Sequence, residues 1–176
     1  MTRLAAVALF CMGAVFGATG ERPKVTRADV ANMEKAVNDR IQRTFPDDPW
    51  VLLGFTRGFY VNGVGVVFSA DINLASGPAV NPATPNPRKE LLVAQHEKKQ
   101  KRLPVLRETM YTIVRYLSTA ATSLPEDEQV VFCVSLMRSP WEIGNDIPAQ
   151  IVMHVQRGKL VAAKAPLDSV IKAEEY

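Results

Sequence analysis

Cys133 and His154 are the two side chains of this sequence whose types could form a nucleophile and its base. Each sits in an alternating stretch. Val130, Phe132, Val134 and Leu136 surround the cysteine, and Ile151, Met153 and Val155 surround the histidine. Strand side chains alternate between two faces, so Cys133 and His154 point away from the apolar side of their strands. If the strands pair across the loop Ser139 to Pro148, both residues share one open face. There an imidazole could take the proton of a thiol. No orienting carboxylate or oxyanion donor is identifiable, and strand cysteines commonly serve as small hydrophobes. A small hydrolase or transferase using Cys133 and His154 is therefore the alternative reading. The leading one has no catalytic residues.

Other chemistry is poorly supplied. His96-Glu97 begins like the helical zinc motif His-Glu-x-x-His, but its fifth position is Gln100. No metal and no cofactor is expected. Gly-x-Ser-x-Gly and Gly-rich phosphate loops are absent. Lys98, Lys99, Lys101 and Arg102 form the only basic cluster. It reads as a solvated helix face, and its functional counterpart is a contact for an anionic surface. No aromatic residues interleave it, so nucleic acid is not expected. Thr56, Ser69, Asp71 and Asn73 share the polar side of a hairpin and line either a groove or a wet sheet face.

The elements that carry these residues follow a leader. Arg3 precedes an apolar run from Leu4 to Gly17, and Ala18-Thr19-Gly20 is a small-x-small site. This predicts a signal peptide over 1–20, cleaved after Gly20 or after Gly17, and a secreted or periplasmic protein. An uncleaved anchor is the competing reading, but the run is shorter than the ~20 residues a spanning helix needs. No later run reaches that length, so no membrane span is expected in the mature chain, 21–176, read as a single domain. Loss of Arg3 lowers the formal charge by one from +3, too small a charge to draw the protein to nucleic acid or lipid. Cys133 is then the only cysteine, which excludes an intrachain disulfide.

Thr26 and Asp29 open a first helix, with Val30, Met33, Val37, Ile41 and Phe45 on one face. Trp50 to Leu74 reads as a hairpin with a type I′ turn at Asn62-Gly63. That turn pairs Val61 with Val64, Phe59 with Val66, Arg57 with Phe68, Phe55 with Ala70 and Leu53 with Ile72. All but Arg57 are apolar, so this is the expected buried face. Gly54, Gly58 and Gly65 fall together on the other face, where a helix or loop could pack closely.

After a proline-rich loop, Asn86-Pro87 predicts the start of a second helix reaching Leu124. Pro104 either kinks it or divides it in two. The strands around Cys133 and His154 form a second hairpin. Arg157-Gly158 is a turn signal, Leu160 to Ala163 predicts a short fifth strand, and the tail from Leu167 predicts a short helix. The fold expected is α+β: an antiparallel sheet of four to five strands packed on one face by two amphipathic helices.

Three segments, Gly63-Val64-Gly65-Val66-Val67-Phe68, Leu103-Pro104 with its helix, and Pro148-Ala149-Gln150-Ile151-Val152-Met153, carry a further signal. On these residues the chain resembles an uncharacterised family of exported bacterial proteins. The resemblance implies export and no catalytic residues. Together these readings point to an exported soluble domain with a non-enzymatic binding or envelope role, whose partner is another envelope or secreted protein.

Overall fold

In the computed structural model the chain is described over residues 25–48, 51–77, 86–162 and 169–176. The leader predicted over 1–20 lies outside these residues. Thr26 caps α1 (Arg27–Thr44): its side chain accepts the Asp29 N–H, and Asp29 answers with a bond to the Thr26 N–H. Val30, Met33, Val37 and Ile41 turn inward as their spacing requires. Strands β1 (Arg57–Val61), β2 (Gly65–Ile72), β3 (Gln129–Leu136), β4 (Gln150–Gln156) and β5 (Lys172–Glu175) form one sheet in that order. The fold is α+β, with the long helix α2 (Lys89–Ala120) between β2 and β3. The core lies between the helices and the alternate residues of β2, β3 and β4, where Phe68, Phe132, Ile151 and Met153 are fully buried.

The sheet is mixed. β1–β2, β3–β4 and β4–β5 are antiparallel, but β2 and β3 run parallel. An all-antiparallel sheet was the expectation. The long helix between the two hairpins returns the chain to the same end of the sheet, and a crossover of that kind joins parallel neighbours.

The first hairpin departs from its expected register. Val61 pairs with Gly65, Phe59 with Val67 and Arg57 with Ser69, one residue away from the predicted pairing. The turn closes from Val64 N to Val61 O at 3.0 Å, with Gly63 at φ +77°. Asn62 does not take a positive φ, so the turn is not type I′, which needs positive φ at both central residues. A one-residue slip exchanges the two faces of a strand. Accordingly β2 faces inward as expected, while Leu53, Phe55, Phe59, Val61 and Val64 are exposed.

Two glycines explain the slip. A Cβ on Gly58 would lie 2.5 Å from Phe68 and 2.8 Å from Val30, so helix α1 closes directly over that residue. A Cβ on Gly65 would collide with the Gln129 backbone, where β2 meets β3. Gly58 faces the helices and Gly65 the open side, so they do not share a face. Glu128 fastens the arrangement: its Oε1 accepts the Gly63 N–H at 3.0 Å and the Tyr60 hydroxyl at 3.1 Å.

Three other expectations change. α2 begins at Lys89 with Arg88 as its cap, not at Asn86-Pro87. Of the two readings of Pro104, one continuous helix holds: α2 runs unbroken through it, and its exposed position lets the missing bond be tolerated. Residues Arg157–Ala162 form a short helix, α3, and the tail supplies β5 where a helix was expected. Pairing with β4 outweighs the local preference of the charged sequence Lys172–Glu175. Among the described residues no helix is long and apolar enough to cross a membrane.

Candidate functional site

Both expected strand residues sit on the side of the sheet turned away from the helices. Cys133 pairs with Val152 and His154 with Val131, so they are diagonal neighbours on adjacent strands. They are not hydrogen-bonded to one another. The Cys133 thiol lies 2.9 Å from Gln150 Nε2. His154 Nδ1 meets Gln129 Oε1 at 3.0 Å, and its Nε2 lies 3.7 Å from Glu174. Burial pushes the Cys133 thiol above its ordinary 9.0, Gln150 offsets part of this, and Asp71 adds to the rise. At neutral pH the thiol therefore keeps its proton, which is the wrong state for a nucleophile. Of the polar hairpin residues, Ser69 and Asp71 are exposed on this face, whereas Thr56 is buried and its backbone N–H is bound by Asn38.

The basic cluster does not form one solvated patch. Lys99 is buried: its ammonium donates to Met137 O at 2.8 Å and Glu142 Oε2 at 2.6 Å, with side chains 3% and 4% exposed. Arg102 donates to Asp48 at 2.8 Å and to Leu74 O at 2.9 Å. Lys98 reaches the same Asp48 at 3.4 Å. Lys98 and Lys101 are exposed, and Lys101 has no side-chain partner among the described residues. His96 is not solvent-facing either, and its Nε2 lies 3.2 Å from Asp146 Oδ1.

These residues hold the connections around the amino-terminal half of α2. Arg102 and Lys98 secure the α1–β1 connection through Asp48, and Gln95 donates to Ala75 O at 3.0 Å beyond β2. The β3–β4 connection receives the densest set. Lys99 grips it at Met137 and Glu142, Gln100 at Asp146 (2.6 Å), and Glu142 also accepts the Ser139 N–H at 3.1 Å. Gly144, at φ +82°, packs against Asp146 and His96 so closely that a Cβ would lie 2.7 Å from Asp146 Oδ1. Arg138 bonds to Gly144 O at 3.0 Å and to Asn145.

The loop so held presents apolar side chains outward. Trp141 is 40% and Ile143 37% exposed, and Met137 is exposed beside them. A buried ion pair contributes little net stability, because desolvation of both charges offsets their attraction. Its use here is geometric, since it ties the β3–β4 loop to α2 at Met137 and Glu142. A rigid loop with an exposed tryptophan loses little entropy on binding, and tryptophan is favoured at the centres of protein interfaces.

Trp141, Ile143 and Glu142 were not singled out by sequence patterning. One signal for Lys99 was present. The buried stripe of α2 passes back from Met110 through Leu106 and Leu103 to Lys99 and Gln95, four residues apart at each of the last steps. Among the described residues no group of three or more His, Cys, Asp or Glu side chains is placed to hold a metal ion. Comparison with protein-family models, with curated proteins and with solved structures gives no match for this chain.

Proposed function

We propose that this chain is an exported binding domain whose β3–β4 loop docks a partner protein of the envelope or extracellular space. Export rests on Arg3 and the apolar run Leu4 to Gly17 before the small residues Ala18-Thr19-Gly20, and on the family resemblance. Binding rests on one observation: the Lys99–Glu142 ion pair, buried under the loop, fixes Trp141 and Ile143 in outward positions. The partner's matching feature is an apolar pocket that takes the indole. The enzymatic alternative is disfavoured by Cys133 and His154, each bonded to a different glutamine.

Two measurements test this reading. Mass spectrometry of the protein taken from its native envelope should find Glu21 as the first residue. An intact Met1 there would remove the export claim. For binding, solubilised envelope proteins are passed over immobilised wild type, Trp141→Ala and Lys99→Met. Wild type should retain one protein in near-stoichiometric amount. Trp141→Ala should lose it with unchanged melting temperature, and Lys99→Met should weaken it although Trp141 is intact. Equal retention by all three would exclude the loop as the docking surface.

A further inference from the structure

The side of the sheet opposite the helices carries no covering element among the described residues, and its side chains form transverse rows. One row reads Phe59, Val67, Val131, His154 and Lys172 across the five strands. The next reads Arg57, Ser69, Cys133, Val152 and Glu174. Phe59 is 51% exposed and Val61 is also exposed, so the face has an apolar flank on β1. Val67, Val131 and Val152 are only part-buried at its centre.

We propose that this face binds a second copy of the same chain about a twofold axis running along β3. The odd strand number puts a strand, β3, on the axis. Rotation about β3 places β1 of one copy over β5 of the other and β2 over β4, while every row stays opposite itself. In the second row Arg57 then lies opposite Glu174 of the second copy, and the pair occurs twice by symmetry. In the first row Phe59 lies opposite Lys172, whose methylene stem can cover the ring. Val131 and Cys133 each meet their own copy on the axis, flanked by Val67 opposite His154 and Val152 opposite Ser69, at the ~10 Å spacing of packed sheets.

The charges favour this arrangement over others. Within one chain Arg57 and Glu174 lie four strand spacings apart, about 19 Å at 4.8 Å per strand, too far to pair. The Arg57 side chain has no hydrogen-bond or ion-pair partner among the described residues, whereas Glu174 already accepts the Tyr176 hydroxyl at 2.6 Å and lies 3.7 Å from His154, so the pair would add Arg57 to a carboxylate held in place on β5. A twofold axis across the strands instead sets β1 on β1, leaving each arginine without a carboxylate.

Edge-to-edge pairing is also blocked. The first half of the outward edge at β1 is taken by α1: Asn38 accepts the N–H of Thr56 just before the strand, Glu34 accepts the Gly58 N–H, and Arg27 donates to Gly58 O. The opposite edge strand alternates charges at Lys172 and Glu174, a device that discourages strand addition. The face remains open where both edges are guarded. It is separate from the β3–β4 loop, so this inference does not rest on the loop reading.

A charge-swap cycle tests it. Sedimentation equilibrium is measured for wild type, Arg57→Glu, Glu174→Arg, the double variant and Phe59→Asp, each checked for an unchanged thermal transition. Wild type should dimerise. Each single charge variant should weaken association at least tenfold, Phe59→Asp should abolish it, and the double variant should recover most of the loss. A wild type that stays monomeric at all concentrations would overturn the proposal, as would a double variant no better than the singles. None of these substitutions touches Trp141, so envelope-partner retention reports separately on the loop.

Discussion

Phe68 lies directly over the bare α-carbon of Gly58, so close that a methyl group there would fall 2.5 Å from the phenyl ring. This contact, together with the meeting of Gly65 and the Gln129 backbone, decides which side of β1 faces the helices. Gly58→Ala should therefore destabilise the protein by about 1–3 kcal/mol through overpacking. Phe55→Ser, at a position 81% exposed, should change stability by less than ~0.5 kcal/mol. Urea titration of both variants checks the register. The opposite order of effects would restore the pairing expected from a two-residue turn.

Lys99 and Glu142 should behave as a coupled pair. Lys99→Met leaves the Glu142 carboxylate buried and without its cation, which should cost about 3–5 kcal/mol. Adding Glu142→Gln removes the stranded charge and should recover much of that loss. A denaturation cycle over the four proteins measures the coupling. Additive effects would mean that the two side chains do not act as one buried unit.

Acid should loosen the α1–β1 connection. Burial alone would raise the Asp48 carboxyl, but Arg102 and Lys98 outweigh it and hold it below the ordinary 3.8. Glu34 is likewise held below 4.5, burial being outweighed by Arg27 and the Gly58 N–H. A carboxyl with a lower pKa in the folded chain stabilises the fold above its unfolded value, and that contribution is lost as pH falls through the folded value. Stability from these groups should be present at neutral pH and decline below about pH 4. Asp48→Asn should be less stable than wild type at pH 6 and lose less on going to pH 3. Identical acid sensitivity of the two proteins would remove Asp48 from this role.

Cys133 should react slowly. Its thiol is raised above 9.0 chiefly by burial, so alkylation by iodoacetamide at pH 7 should be well below that of a free thiol and climb above pH 9. His154→Ala should leave the rate unchanged, because the imidazole bonds to Gln129 and not to the thiol. Fast alkylation at pH 7 that disappears in His154→Ala would make the two residues a catalytic dyad.

Much of the scaffold was legible because it depends on local period and capping. The alternations around Cys133 and His154 place both residues on one open face, since a strand has two faces and the apolar one must be buried. Thr26 and Asp29 mark the start of α1 because they complete each other's hydrogen bonds within four residues. The apolar stripe of Leu106, Met110, Ile113 and Leu117 likewise declares its own burial.

Other features depend on partners distant in sequence. The Asn62-Gly63 turn permits more than one hairpin register. The choice was made by α1 closing on Gly58 and by β3 meeting Gly65, contacts that a local turn rule does not contain. The role of Lys99 was likewise hidden by its basic neighbours. A lysine in a charged run is ordinarily solvated, and only the return of the β3–β4 loop over α2 brings Glu142 and the Met137 carbonyl to it. The sequence by itself determined the faces of α1, α2, β3 and β4, because period and burial are local. Tertiary structure alone decided which faces meet and which charges are buried, because those depend on contacts between segments tens of residues apart.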